Sequence, residues 1–158
     1  MINQLKIILT SFSHLLLTIS YNILNINNLN KRPKVFLQPP DIVFSVVWTT
    51  FYLIFGISNL KILYDTKILN SKKIKIINQS ITESILHWLW LVINSKFFTN
   101  NFCFKIISMI ILICIVHHSF IRSYFLKKTD KFLHNLYIPY KLWIIFALFL
   151  EIQNLYNF

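Results

Sequence analysis

From Ile42 to Leu60 the chain carries no charged side chain, and four other stretches are nearly as apolar. A run of about 20 mostly apolar residues suffices to cross the hydrocarbon core of a bilayer as an α-helix. The 158 residues are 56% hydrophobic, above the about 45–50% of an ordinary soluble domain even with Gly counted. One glycine, four prolines and two cysteines exclude collagen, a disordered linker and a disulfide scaffold.

The pattern predicts an all-α integral membrane bundle of five transmembrane helices, forming one domain over residues 1–158, with spans at about 5–26, 42–60, 77–98, 102–125 and 132–156. The first stretch carries polar Ser11, Ser13, His14 and Asn22 and lacks a small-residue cleavage site, so it is expected to be retained rather than removed as a signal peptide. In the third, Glu83 near the start and Lys96 near the end are expected to reach towards water. The fourth has Lys105 and Arg122 at its two ends, and the fifth is interrupted by Pro139 in its first turns and contains Glu151. The links are short and polar, leaving no room for a separate soluble domain.

Sixteen Lys and Arg against five Asp and Glu give a net charge of +11. The basic residues fall between the apolar stretches, which fits cationic flanks of membrane spans rather than a nucleic-acid surface. Five spans put Lys6, Lys61, Lys67, Lys72, Lys73, Lys75, Arg122, Lys127, Lys128 and Lys131 on one side, against Lys31, Arg32, Lys34, Lys96 and Lys105 on the other. The positive-inside tendency then places the N-terminus in the cytosol. Cys103 and Cys114, about 16 Å apart along a helix, are too distant for a disulfide within it.

A single glycine leaves no phosphate-cradling loop, so any chemistry must lie between helices. Glu151, about 15 Å along the helix from Lys141, is either a ligand or proton contact inside the bundle or an interfacial carboxylate on a shifted helix. His117 and His118 point about 100° apart, and no metal site or cofactor is expected. Glu83 and His87 form an i, i+4 pair. Phe44, Trp48 and Tyr52 make an aromatic stripe on the second span; Trp143, Ala147 and Leu150, with Phe146 beside them, make another on the fifth. A small residue between bulky ones leaves room for a flat ligand, and an indole ring can stack on it or donate an N–H bond. The same spacing also serves ordinary helix packing or interfacial anchoring.

These stripes sit in two motifs. Lys34-Val-Phe-Leu-Gln-Pro39-Pro40-Asp-Ile-Val-Phe-Ser-Val-Val-Trp48-Thr-Thr50-Phe-Tyr52-Leu-Ile-Phe-Gly56 resembles the first loop and second helix of the translocator protein (TspO, peripheral-type benzodiazepine receptor) family. That family's pattern is Lys-Pro-Ser-Trp-x-Pro-Pro followed by an aromatic-rich run closing near a Gly. Pro139-Tyr-Lys-Leu-Trp143-Ile-Ile-Phe146-Ala147-Leu-Phe-Leu150 resembles its fifth-helix Pro-Tyr-x-x-Trp-x-x-Phe-Ala-x-x-Leu, and Phe97-Phe98 the Phe-Phe closing its third helix. There are departures. Val35 replaces the loop proline; the third-helix Leu-Asn-x-x-Trp-Ser becomes Leu89-Trp90-Leu-Val-Ile93-Asn94; Glu151 replaces the Asn after the fifth-helix Leu; and no Lys or Arg follows Tyr156, as the family's sterol-recognition pattern requires.

The resemblance implies a multi-pass membrane receptor or carrier, commonly a homodimer, whose intrabundle pocket takes a porphyrin, another tetrapyrrole or a sterol-like molecule. Phe44, Trp48, Tyr52, Trp143, Phe146, Ala147, Leu150 and Glu151 are the expected ligand-binding residues. Two alternatives stand beside it: a light-dependent porphyrin-degrading enzyme acting through Trp48 and Trp143, and a scaffold whose pocket has degenerated.

Overall fold

A computed structural model describes Phe12, Ile19 and residues 37–94 and 102–156. These residues form four helices and no strand: α1 (Asp41–Tyr64), α2 (Asn70–Ile93), α3 (Phe102–Lys127) and α4 (Lys131–Tyr156). The 26 residues of α4 measure about 39 Å, longer than a hydrocarbon core about 30 Å thick. The expected first span, 5–26, and Phe97-Phe98 lie outside the described residues apart from Phe12 and Ile19.

The other four expected spans are helices, but only three, α1, α3 and α4, are long and apolar enough to cross a membrane. Five helices are thus not supported by the described residues, which hold four, three of them span-like. The exception is α2, expected at 77–98: it begins at Asn70, with Lys72, Lys73 and Lys75 in its first turns, and buries Ser80, Glu83, Ser84 and His87. Its hydropathy is lowered by polar groups that face other helices rather than lipid. A second correction concerns Pro139, which does not interrupt its helix; α4 runs through it with the ring exposed, at the cost of the hydrogen bond to the Asn135 carbonyl and of crowding against it.

Local chemistry sets the boundaries. Pro39 and Pro40 keep the preceding backbone out of the helical region, and the helix opens with Val43 N–H donating to the Pro40 carbonyl at 2.9 Å. Asp65 ends α1 in an extended conformation and turns the chain by accepting the Lys67 N–H at 2.8 Å. Asn94 folds its side-chain amide onto the Trp90 carbonyl at 3.0 Å, closing α2. Asp130 caps α4, accepting the Leu133 N–H at 3.0 Å.

Each helix buries residues at alternating steps of four and three: Trp48, Tyr52, Phe55, Asn59 and Ile62 on α1; Ile76, Ser80, Glu83, His87 and Trp90 on α2; Ser108, Leu112, Ile115, Ser119, Arg122 and Leu126 on α3; and Leu133, Tyr137, Tyr140, Ile144, Ala147 and Glu151 on α4. A mean period of 3.5 keeps one seam facing the neighbouring helices along their length. The helices close a ring: α3 packs broadly on α2 and α4, and α1 rests more lightly on the same two. The outward faces are apolar, with Val46, Leu53, Ile57, Ile110, Ile113, Leu142 and Phe149 among the exposed residues. Such faces suit contact with acyl chains, while the core is apolar and aromatic as well. Gly56 lies where a Cβ would collide with the Phe12 ring, so the chain's only glycine admits a side chain of the first segment against α1.

The seam is pinned by charge. Arg122 and Glu83, expected at helix ends with Glu83 reaching water, are instead fully buried and paired at 3.3 Å. Tyr137 donates to both Glu83 oxygens at 2.8 and 2.9 Å, Arg122 donates to Asn59 Oδ1 at 2.8 Å, and Asn59 donates to Ser80 Oγ at 2.8 Å. The guanidinium also lies 4.8 Å from the Phe55 ring and 5.1 Å from that of Tyr137. In hydrocarbon such a pair depends on further donors and acceptors around it, and here only Arg122 Nε is without a partner among the described residues.

Replacing Arg122 by Met should therefore destabilise the bundle by about 3–5 kcal/mol, because Glu83 is left buried without its counter-charge. The double variant Glu83→Gln, Arg122→Met should recover part of that loss; unfolding of the purified protein in graded detergent measures both. At the bundle end, the hydrogen bond from Lys61, at 2.6 Å, is the largest cause holding the Asp130 carboxyl below its ordinary range. Its contribution is fully present above the ordinary carboxylate pKa of about 4 and is lost as pH falls through the depressed folded value. Melting temperature should drop on acidification below about pH 4, and Asp130→Asn should flatten that drop while keeping the cap.

Candidate functional site

Half of the seam, towards the start of α1 and the end of α2, is aromatic. Trp48 is its centre: 7% exposed, its ring lies 5.7 Å from Tyr52, 4.9 Å from His87, 6.0 Å from Trp90, 6.4 Å from Tyr140 and 6.4 Å from Trp143. Phe44 reaches Trp143 at 5.3 Å, and Trp143 reaches Phe146 at 5.6 Å. The two aromatic stripes read from the sequence thus face each other, joining Phe44, Trp48, Tyr52, Trp143 and Phe146 by ring contacts. Ala147, one turn beyond Trp143, is 4% exposed within the same core. Leu150 is buried on the next turn of α4.

Glu151 is buried as well, and turned to α3. It accepts a hydrogen bond from Ser108 Oγ at 2.6 Å, while the Asn94 amide donates to Ser108 Oγ at 2.6 Å. Nearby, Lys105 Nζ donates to the Asn154 carbonyl at 3.4 Å. Glu151 therefore closes the aromatic half of the seam from its outer end.

Glu83 and His87, four residues apart on α2, each bond to another helix. Glu83 belongs to the Arg122 network, whereas His87 Nε2 and Tyr140 Oη share a hydrogen bond of 2.7 Å. His118 Nδ1 pairs with Gln79 Oε1 at 2.7 Å, while His117 is exposed. Cys103 is exposed and Cys114 half-buried, with no disulfide between them.

The residue missed in the sequence is Trp90. It stands where the third-helix motif has Asn, and its indole joins the Trp48 group from α2. The signal was available: Trp90 continues the Ile76, Ser80, Glu83, His87 step pattern. The three indoles share a further property. The buried Nε1 atoms of Trp48, Trp90 and Trp143 have no hydrogen-bond partner among the described residues. A buried indole N–H ordinarily finds an acceptor, and each one left unmet costs about 1–3 kcal/mol. Chemically, the group offers apolar faces for a flat molecule and N–H donors for its oxygen atoms.

These features define a helical membrane protein whose interior combines a buried ion-pair network with an aromatic group of unmet donors. Comparison with protein families narrows that class: the TspO/MBR family model matches residues 7–156, and the chain belongs to that family. With three helices able to span a bilayer, it is an integral membrane protein. Neither the curated proteins nor the solved structures compared with the chain gave a match.

The outer closure can be tested. Ser108→Ala leaves the Asn94 amide and the Glu151 carboxyl without their shared hydroxyl. The expected loss is about 1–3 kcal/mol in detergent unfolding, and Ser108→Thr should restore most of it.

Proposed function

We infer that this protein is a membrane receptor or carrier for a planar apolar molecule bearing oxygen acceptors, a tetrapyrrole by preference, held at the indole group within a five-span bundle. The observation that carries the reading is the set of buried Nε1–H donors on Trp48, Trp90 and Trp143 without partners among the described residues. A ligand carboxylate or carbonyl would accept from them, while the ring system gains about 25 cal/mol for each Å² of apolar surface removed from water. Phe44, Tyr52, Phe146, Ala147 and Leu150 would supply the wall. Family membership supports the reading at the level of a membrane protein of this kind.

The test is titration of the purified protein with protoporphyrin, followed by quenching of tryptophan fluorescence. Saturable quenching without chemical change is expected. Trp48→Phe, Trp90→Phe and Trp143→Phe keep an aromatic ring but delete one donor each. Each should weaken binding about five- to tenfold, the worth of a hydrogen bond of about 1 kcal/mol or slightly more. Absent saturation, or unaltered affinity in all three variants, would sink the proposal. A product formed only under illumination and lost in the Trp48, Trp143 double variant would instead assign the site an oxidative reaction.

A further inference from the structure

The end of the bundle opposite the indole group carries a second surface. There the α1–α2 link, residues 65–69, meets the α3–α4 link, residues 128–130. Lys61 binds Asp130 at 2.6 Å across them, and Lys73 Nζ donates to the Leu63 carbonyl at 2.9 Å. Around this junction Lys67, Lys72 and Lys75 on one side and Lys127, Lys128 and Lys131 on the other are all exposed. None of the six has an ion-pair partner among the described residues. The two acidic residues there are otherwise engaged: Asp130 with Lys61 and the start of α4, and Asp65 with the Lys67 backbone N–H.

Aromatic side chains mark the depth of this collar. Tyr64, Tyr124 and Phe132 are 60%, 54% and 65% exposed and lie within a turn of the lysines. Lys128 both bonds the Tyr124 hydroxyl and lies 4.2 Å from its ring. Exposed aromatic rings with one apolar and one wet edge occupy the boundary between acyl chains and headgroups. Below them the outward faces are apolar, with Ile57 and Phe120 both exposed.

We propose that this lysine collar binds the headgroups of anionic phospholipids, whose acyl chains lie along the apolar faces beneath. Charge complementarity selects an anion. The aromatic level and the apolar faces select one attached to hydrocarbon rather than a soluble polyanion. Near a bilayer surface each Lys contributes roughly 1 kcal/mol towards anionic lipid, about fivefold in affinity.

Native mass spectrometry of the purified protein with equal amounts of phosphatidylglycerol and phosphatidylcholine of identical chains tests it. Phosphatidylglycerol should be retained at least about tenfold better, and replacing Lys72, Lys75, Lys127 and Lys128 together by Gln should remove that preference. Equal retention of the two lipids overturns the proposal, as does a preference unchanged in the quadruple variant. So does binding of glycerol phosphate, which has no acyl chains, as tight as that of the lipid. If the Gln variant does not fold, the same four positions changed to Arg should keep the preference. In the unmodified protein salt at about 1 M, where screening falls to about 3 Å, should abolish it. A preference that survives such salt is not electrostatic and overturns the collar.

Discussion

Arg122 is a permanent cation with no exposure to solvent, and satisfying it fixes the relative heights of all four described helices. Its guanidinium takes Glu83 from α2 and Asn59 from α1 and rests against rings of α1 and α4. Tyr137 of α4 then fills the carboxylate, and Ser80 accepts from Asn59. Sliding one helix by a turn, about 5.4 Å, would break at least one of these bonds inside a medium that offers no replacement. α1, which packs on α2 and α4, is bound to α3 by this long side chain.

Once that level is fixed, the rest of the seam follows by counting. Ser108 lies fourteen residues before Arg122 on α3, and Glu151 fourteen residues after Tyr137 on α4. Both are two heptads, about 21 Å, from the ion pair on antiparallel helices, so they arrive at the same height and bond. Trp90 stands one heptad from Glu83, and Trp143 nearly one from Tyr137. Trp48, eleven residues or about 16.5 Å back from Asn59, also lies between the two polar layers. The indole group is thus held between an ion-pair network and a Ser–Glu closure, and neither is built from its own residues.

The helical class and most span positions were legible in the sequence because lipid-facing surfaces must be apolar, and hydropathy reports that directly. The boundaries of α1, α3 and α4 moved by four residues or fewer, mainly through the Pro39-Pro40 start and the Asp65 and Asp130 turns. α2 was harder. Its inward face is polar, so its apolar content understates its role, and its start slid from 77 to Asn70. Glu83 and Arg122 looked like terminal charges because either alone is best placed in water; only their pairing across α2 and α3 makes burial tolerable, and pairing between helices leaves no trace in local spacing. The facing of Phe44, Trp48 and Trp143 was legible through a family motif, whereas Trp90 departed from that motif and was visible only as a step in a heptad pattern.

The two halves of the seam treat their polar groups in opposite ways, and this separates scaffold from site. Around Arg122 the carboxylate, amide and hydroxyl groups bond one another across the helices, and of the guanidinium nitrogens only Nε is without a partner among the described residues. Around Trp48, three indole N–H groups lie without acceptors among the described residues. If these tryptophans served only to fill volume, Phe would do so without a donor to desolvate, and the unmet N–H groups would be a cost with no return. The cost is intelligible when an acceptor arrives from outside the chain. On the proposed reading the ion-paired half has a part in binding: it fixes the heights of the helices that carry Trp90 and Trp143, whose rings lie 6.0 and 6.4 Å from that of Trp48.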